Sequence, residues 1–194
     1  MNLNGYKIIL ASKSPRRIEY LKKMNIPFTT KKSKYNENFD TNLKGHLIPR
    51  FIVKKKAKIF INKVKDKEII ITADTIVWHK NKCLGKPKNN KEALSMLNEL
   101  SNNVHQVITA VGFLTKKNLE IIHKTTKVKF GKVSKEDLIN YTVKDKPFDK
   151  AGSYGIQDWF GLVAVESLNG SYSNIVGLPT YEVYNKLKEI TSKN

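Results

Sequence analysis

Cysteine, arginine, acidic residues and long apolar runs are all scarce in this sequence of 194 residues. The single cysteine, Cys83, excludes an internal disulfide and is typical of a reducing compartment. No apolar run approaches the roughly 20 residues that a membrane helix needs. The N-terminal residues also lack the charged-then-apolar order of a signal peptide. We therefore expect a soluble, cytoplasmic protein with no membrane partner, built as one domain over residues 1–194.

The shortage of acidic residues leaves a formal net charge of +19, from 36 Lys and Arg against 17 Asp and Glu. Such a charge is one signature of nucleic-acid binding. The lysines are dispersed along the chain, however, and they are not interleaved with the aromatic residues that stack on single-stranded bases. We interpret the charge mainly as a compositional bias that attracts polyanionic substrates at low salt, and we expect no specific nucleic-acid partner.

Arginine occurs only three times, and two of the three, Arg16 and Arg17, are adjacent. A strand is predicted over residues 6–11, after which Ser14 resembles an N-cap and Pro15 a first helical residue. Both arginines would then lie in a first helical turn, where unpaired N–H groups favour an anion. Because a guanidinium can grip a phosphate through two parallel hydrogen bonds, the pattern predicts a phosphate site. The alternative is a basic helix start on the surface.

Asp74 directly follows the apolar run Ile69–Ala73, so we expect it where a buried strand ends. A carboxylate there can bind a divalent cation or activate water, although an ordinary turn Asp fits equally well. Lys86, between Gly85 and Pro87, is either aimed at a phosphate or a solvated turn lysine.

Two segments rich in small residues, 151–157 and 170–174, are predicted to be loops. Glycines let a backbone approach a ligand, and the amide of Gln157 can recognise a base edge, although either segment could be a plain connection. A strand is predicted over 162–167 and a helix over 47–63, and Ser134 with Asp137 resembles a capping box that opens a further helix. The histidines lack metal-ligand spacing, so we assign no zinc site. Strands alternating with helices predict an α/β fold with a mixed β-sheet flanked by helices.

Seven stretches carry a resemblance over residues 10–179: Leu10-Ala11-Ser12-x-Ser14-Pro15-Arg16-Arg17, Lys56-Ala57, Ala73-Asp74-Thr75, Gly85-Lys86-Pro87, His105-x-Val107-x-Thr109-x-Val111, Ala151-Gly152-x-Tyr154-Gly155-Ile156-Gln157 and Gly170-Ser171-Tyr172-Ser173-Asn174-x-Val176-Gly177-Leu178-Pro179. Together and in this order, they closely resemble the Maf family of nucleoside triphosphate pyrophosphatases. The resemblance implies a two-lobed α/β domain, similar to inosine triphosphatases, with the active-site cleft between the lobes.

The resemblance also implies an activity. A nucleoside triphosphate would be hydrolysed to the monophosphate and pyrophosphate with a divalent cation, Mg²⁺ or Mn²⁺. The Tyr154–Gln157 form resembles the branch acting on dTTP and UTP, which extends to modified pyrimidine nucleotides and to nucleotide-pool sanitation. Family members are linked to arrest of septum formation. A homodimer is an open alternative to the monomer.

Roles carried over by motif fall into three groups. Asp74 resembles the proton acceptor and a metal ligand. The positions similar to substrate- and phosphate-binding residues are Ser12, Arg17, Lys56 and Lys86, with Glu37 as an acidic helper, and those similar to specificity determinants are Arg16, Thr75 and Gln157. One departure is Asp158-Trp159-Phe160, where many members have Gly-x-Gly, and we expect it to reshape the base pocket or a dimer contact.

Two rival hypotheses are a basic nucleic-acid-binding protein and a nucleotide-binding regulator without catalysis. The intact residues Arg17, Asp74 and Lys86 argue against the second.

The first rival gives a direct test. If the +19 charge is compositional, the protein should bind a random DNA duplex only weakly at physiological salt, as measured by fluorescence anisotropy. Sub-micromolar affinity (a Kd below about 1 μM) with a steep salt dependence would favour the nucleic-acid hypothesis instead.

Overall fold

The computed structural model describes residues 1–32 and 39–192, which form seven strands and seven α-helices. The strands are β1 (Lys7–Leu10), β2 (Phe28–Thr30), β3 (Glu68–His79), β4 (Lys82–Leu84), β5 (Val104–Leu114), β6 (Leu119–Phe130) and β7 (Val165–Asn169). The helices are α1 (Pro15–Lys23), α2 (Leu47–Lys58), α3 (Asn90–Leu100), α4 (Lys135–Asp145), α5 (Trp159–Ala164), α6 (Tyr172–Val176) and α7 (Thr180–Ser192), with a 3-10 turn at Ala151–Ser153. No helix in these ranges combines the length and apolarity needed to cross a membrane.

All seven strands belong to one mixed sheet in the order β2-β1-β3-β5-β6-β7, with β4 paired to β3. Strand β1 pairs in parallel with β2 on one side and β3 on the other. The pairs β3–β5, β5–β6 and β6–β7 are antiparallel. The predicted α/β fold with a mixed sheet is confirmed.

The parallel part of the sheet explains the apolar runs of the sequence. Ile8–Leu10 of β1 and Ile69–Ile71 of β3 are buried, as expected for parallel strands covered on both faces. The alternate residues Ile8, Leu10, Ile69 and Ile71 pack with Leu21 of α1 and with Val183 and Leu187 of α7 in one apolar core, whereas Ile9 and Ile70 pack with Phe60 and Val64 in another. A further core joins the far ends of β5 and β6 to helices α3, α4, α5 and α6.

Several helix boundaries follow from local capping, as the sequence predicts. Pro15 begins α1 directly after Ser14. Ser134 caps α4 by accepting a hydrogen bond from the backbone N–H of Asp137 at 3.0 Å, which confirms the predicted capping box.

The prediction that β3 ends at Ala73 is wrong, because the strand continues to His79. Beyond Ala73 it stays paired with β5, residue by residue from Ile70↔Leu114 to Trp78↔Gln106. Asp74 therefore lies within a strand, opposite Ala110, and not in a turn. The polar residues Asp74 and Thr75 interrupt the apolar run without ending the backbone ladder.

The predicted strand over 162–167 is also corrected, because its first half is the end of α5 and only Val165 onward is β7. Phe160 and Ala164, four residues apart, are both buried, while Leu162 between them is 81% exposed. This spacing is helical, and the apolar composition of Leu162–Ala164 concealed it.

Two further boundaries differ from expectation. Residues 172–174, in the predicted loop 170–174, belong to the short helix α6, which Ser171 caps at Asn174 N–H and Gly177 ends with a positive φ of 116°. Helix α2, predicted over 47–63, ends at Lys58 and continues as turns.

The contact between α2 and the sheet gives a stability prediction. A Cβ at Gly112 in β5 would lie 2.7 Å from Val53 Cγ1 and 2.8 Å from Thr72 Oγ1, both buried. We expect Gly112→Ala to lower the free energy of unfolding by about 1–3 kcal/mol in chemical denaturation, because α2 must move outward. Gly131→Ala is the control, since its Cβ would meet only Ala164 O at 3.9 Å. Equal stability of both variants would contradict this packing.

Candidate active site

The site lies along an edge of β3 where this strand is paired on one side only. On one side β3 pairs with β5 along most of its length, but on the other side β1 accompanies it only to Ile71 and β4 begins only at Val77. Within the described residues, positions 72–76 therefore have no strand neighbour on that side. The carbonyl of Ala73 accepts hydrogen bonds from side chains instead, from Lys56 Nζ at 2.8 Å and Arg17 Nη1 at 3.0 Å. These bonds satisfy a backbone group that the missing strand would otherwise have to bind.

Lys56 and Asp74 form a nearly buried ion pair at this edge of β3. Lys56 Nζ donates to Asp74 Oδ1 at 2.8 Å, and the side chains are only 6% and 14% exposed. Of the three successive lysines 54–56, only Lys56 is buried, because it lies on the face of α2 that packs on the sheet. The pairing offsets the cost of burying each charge and fixes the direction of the carboxylate. In the described part of the chain, the second oxygen of Asp74 accepts no hydrogen bond from the protein.

Arg17 joins three segments around the same point. Its Nε donates to Gly177 O at 2.9 Å and its Nη2 to Thr75 Oγ1 at 3.2 Å. Its Nη1 donates to Ser12 Oγ at 3.3 Å as well as to Ala73 O. The planar fork thus connects the loop after β1, the central part of β3 and the end of α6. This arrangement needs arginine, because a lysine ammonium cannot direct donors along so many fixed lines.

Behind Thr75 lies a buried polar network that the sequence reasoning did not assign. Thr75 Oγ1 is 2.9 Å from Thr109 Oγ1, which donates to Asn174 O at 2.9 Å. Asn174 Nδ2 in turn donates to Val107 O and to Thr126 Oγ1. A threonine inside the apolar strand 107–114 and an asparagine in 172–176 were the available signals, since buried polar groups are retained where they are hydrogen-bonded.

These residues line one cleft of about 500 Å³, a size typical of small-molecule sites. Eight of the nine residues predicted from the sequence lie along it: Ser12, Arg16, Arg17, Lys56, Asp74, Thr75, Lys86 and Gln157. The ninth, Glu37, lies outside the described residues. Among the described residues, six cationic side chains and two carboxylates line the cleft, namely Lys13, Arg16, Arg17, Lys56, Lys86 and Lys150 against Asp74 and Asp149. The arrangement therefore favours a polyanionic ligand.

Three of the predicted residues occupy more open positions. Lys86 follows β4 and is exposed, as is Gln157 at the end of the loop after Ser153. Arg16 Nη1 donates to Asp149 Oδ2 at 2.9 Å. Lys86 and Gln157 make no side-chain hydrogen bond with any described residue, so both are available to a ligand.

The loop that carries Gln157 is anchored from below by Tyr154, whose hydroxyl lies 2.7 Å from His105 Nε2. Burial, with a smaller effect from His79, lowers the pKa of His105 to about 3. Burial also raises the pKa of the Tyr154 hydroxyl. Both partners are therefore uncharged at neutral pH, and the bond survives in an apolar setting. Both residues belong to the stretches that carry the family resemblance, but the sequence did not predict this supporting role for them.

The departure at 158–160 packs against this loop. Phe160 is fully buried and stacks edge-on with Phe130, which contacts Tyr154 in the same manner. Gly161 must be glycine, since a Cβ there would overlap the backbone of Ile156. Trp159 stays 43% exposed. The aromatic residues thus support the loop from outside the cleft, because neither Trp159 nor Phe160 lines it.

The fold and the cleft define the chain as an α/β protein with a cation-lined site for an anionic ligand. A profile described as Maf-like protein matches residues 7–190, and the chain belongs to this family.

Similar proteins extend over nearly the whole chain. A Flavobacterium johnsoniae protein named dTTP/UTP pyrophosphatase is 46% identical over 185 residues, 95% of each chain. Proteins with the same name from Flavobacterium psychrophilum (47% identity, 92% of this chain and 91% of the relative) and Christiangramia forsetii (42%, 97% and 96%) are also similar. Among solved structures, the Staphylococcus aureus Ham1 protein aligns with 64% of this chain and 71% of its own, at a TM-score of 0.45 and 12% identity.

The contacts of Arg17 lead to a sharp substitution test. Arg17→Lys keeps the charge but cannot maintain the bonds to Gly177, Ala73 and Thr75 together. The sequence resemblance implies dTTP and UTP as substrates. For these triphosphates, we expect the catalytic efficiency of the variant to fall about ten- to a hundredfold. Stability should also fall by about 1–2 kcal/mol, because hydrogen bonds between three segments are lost.

Arg50→Lys is the matched control. Arg50 Nη1 donates to Ile121 O at 2.8 Å, outside the cleft, so this variant also loses a hydrogen bond to the backbone. Its activity should be unchanged. Equal activity losses at both positions, or none at Arg17, would show that Arg17 does not organise the site.

Proposed function

We propose that this chain hydrolyses dTTP and UTP to the monophosphate and pyrophosphate. The observation that carries the proposal is the Asp74 carboxylate, held by Lys56 in a cleft lined by six cationic residues. The names of relatives 42–47% identical over more than nine-tenths of the chain support the choice of substrate.

Asp74 is the proposed proton acceptor. Lys56 holds one carboxylate oxygen at 2.8 Å, which leaves the other to accept a proton from a water molecule. That water attacks the α-phosphorus, the bond between the α-phosphorus and the bridging oxygen breaks, and pyrophosphate departs with the bond's electron pair. Because Lys56 fixes the direction of the carboxylate, little reorganisation is needed at the moment of reaction.

The remaining cations are proposed to neutralise the triphosphate. Lys86 and Lys13 make no hydrogen bond with the described residues and line the cleft, so they can bind phosphate oxygens directly. Ser12 Oγ and the start of α1 lie beside them. Arg17 contributes charge while its donors hold the protein together. Such neutralisation is the main source of rate enhancement in phosphoryl transfer, since it reduces repulsion of the attacking oxygen.

A divalent cation, Mg²⁺ or Mn²⁺, fits this site in one way. The described residues contain no cluster of three His, Cys, Asp or Glu side chains, so these residues alone do not supply a full coordination shell. Mg²⁺ commonly binds one or two carboxylates together with substrate phosphates and water, and Asp74 would be that carboxylate. When bound, the cation would neutralise phosphate charge.

Recognition of the base is proposed to involve Gln157 and Arg16. The Gln157 amide offers a donor and an acceptor for the edge of a pyrimidine. Thr75 acts indirectly, because its hydroxyl already binds Arg17 and Thr109. Activity on modified pyrimidine triphosphates would extend the role to nucleotide-pool sanitation, whereas septum arrest, a homodimer and a cytoplasmic location stay hypotheses from the sequence.

The test is a panel of triphosphates incubated with the protein and magnesium, with pyrophosphate and orthophosphate measured separately. We expect pyrophosphate from dTTP and UTP in preference to dATP, GTP and 7-methyl-GTP. Asp74→Asn should lose about a hundredfold or more in kcat, the scale of removing a general base. Asp145→Asn, at the exposed end of α4, should be unaffected.

Two results would overturn parts of the proposal. Release of orthophosphate and the nucleoside diphosphate would exclude attack at the α-phosphorus. A preference for 7-methyl-GTP would retain the reaction and exclude the pyrimidine assignment.

A further inference from the structure

An ion pair in the cleft joins residues 133 positions apart in the chain. Arg16 Nη1, in the first turn of α1, donates to Asp149 Oδ2 at 2.9 Å. Both residues line the cleft, with side chains 29% and 59% exposed. An ion pair this exposed contributes little to stability, so its position in the site is the more informative feature.

Asp149 is itself held in place by Lys150. Lys150 Nζ donates to Asp149 Oδ1 at 2.8 Å and lies 3.4 Å from Asp158 Oδ2. Partial burial raises the pKa of Asp149, but hydrogen bonds from Lys150 and Arg16 outweigh it and bring the pKa below its ordinary value. The carboxylate is therefore charged at neutral pH, with one oxygen for each cation.

The same network reaches the loop that carries Gln157. Tyr141, a buried residue of α4, donates its hydroxyl hydrogen to Asp158 Oδ2 at 3.3 Å. The Tyr141 hydroxyl oxygen accepts the backbone N–H of Gly155, also at 3.3 Å. A continuous series of contacts thus runs from Arg16 to the backbone two residues before Gln157. Asp158, part of the departure from the family sequence, is a member of it.

Arg16 retains donors for a ligand. Its contact with Asp149 uses Nη1, and neither Nε nor Nη2 donates to any residue in the described ranges. A guanidinium fixed at one corner has a defined plane, which suits it to hydrogen-bond a ligand in the cleft through its other edge.

We propose that Asp149 is a positioning residue, which fixes the orientation of the Arg16 guanidinium and connects it through Lys150, Asp158 and Tyr141 to the loop that carries Gln157. Arg16 and Gln157 then approach the nucleotide base as one preorganised unit. Asp149 acts on the substrate only through Arg16. This inference rests on the proposed function, because it assigns the source of that site's preference for one base.

The test begins with Asp149→Asn, which removes the charge and keeps the shape. We expect KM for dTTP to rise about five- to tenfold with kcat within about twofold, and the preference for dTTP over dATP to fall by a similar factor. The control is Asp66→Asn, which removes the charge of a surface carboxylate that pairs with Lys116 outside the cleft. It should leave both constants unchanged. An unchanged preference in Asp149→Asn would overturn the proposal, as would a lower KM, which would mean that Asp149 competes with the substrate for Arg16.

A double-mutant cycle separates positioning from a general effect on the fold. If Asp149 acts through Arg16, adding Asp149→Asn to Arg16→Gln should change the substrate preference no further, whereas additive effects would overturn the proposal. Asp149→Glu should recover part of the preference, because it restores the carboxylate. Thermal unfolding of each variant checks that the loss of substrate preference is not caused by a loss of stability.

Failure of the proposed function has a different outcome from failure of this inference. If the unsubstituted protein releases no pyrophosphate from any triphosphate, the proposed reaction is wrong. The inference is then decided by calorimetric binding of α,β-imido-dTTP, which Asp149→Asn should weaken about five- to tenfold. Equal affinity of the two proteins, or no binding by either, would overturn it.

Discussion

The site depends on a five-residue stretch of β3 that has no strand neighbour on one side among the residues that the structure describes. Between the end of β1 at Leu10 and the start of pairing with β4 at Val77, the backbone of residues 72–76 must find other partners. Lys56 and Arg17 supply them at Ala73 O, and these are the residues that also surround Asp74. One constraint, satisfaction of a buried backbone carbonyl, therefore gathers the cations around the carboxylate.

The two arginines at the start of α1, Arg16 and Arg17, contact different parts of the protein. Arg17 points toward β3 and donates hydrogen bonds to protein acceptors at Gly177, Ala73, Ser12 and Thr75. Arg16 points toward Asp149 and keeps donors available to a ligand. The first preserves the shape of the site, and the second is placed to contact what enters it. A single helical turn thus serves the architecture through Arg17 and, in our proposal, the recognition of a ligand through Arg16.

The far wall of the cleft is preorganised by a different kind of interaction. Tyr154 is fixed by His105 in an uncharged hydrogen bond and by edge-on contacts with Phe130. The segment 158–161 closes behind it, with Phe160 in the core and Gly161 against Ile156. Because interiors are packed densely, a bulky aromatic insertion there transmits rigidity to the loop without entering the cleft.

The sequence by itself determined the α/β class, the strand–helix start at Ser14-Pro15, the capping box at Ser134 and a set of candidate residues that line one cleft. These features follow from local rules, namely apolar runs, capping chemistry and the scarcity of arginine, together with a resemblance spread over most of the chain. Two predictions of secondary structure from local sequence were wrong for an identifiable reason. Asp74 does not end β3, because pairing with β5 continues past it, and Leu162–Ala164 ends a helix although its composition suits a strand.

Only the tertiary structure decided how the candidates contact one another. Nothing local to Lys56 or Asp74 reveals that they pair, since they lie 18 positions apart, one on α2 and the other on β3. The pairs Arg16–Asp149 and His105–Tyr154 are separated by 133 and 49 positions. Such contacts depend on strand order and register, which are set by the packing of the whole sheet. For that reason the sequence could indicate residues that line the cleft, while their hydrogen bonds and the contacts of Thr109, Asn174 and Asp149 became visible only in the folded chain.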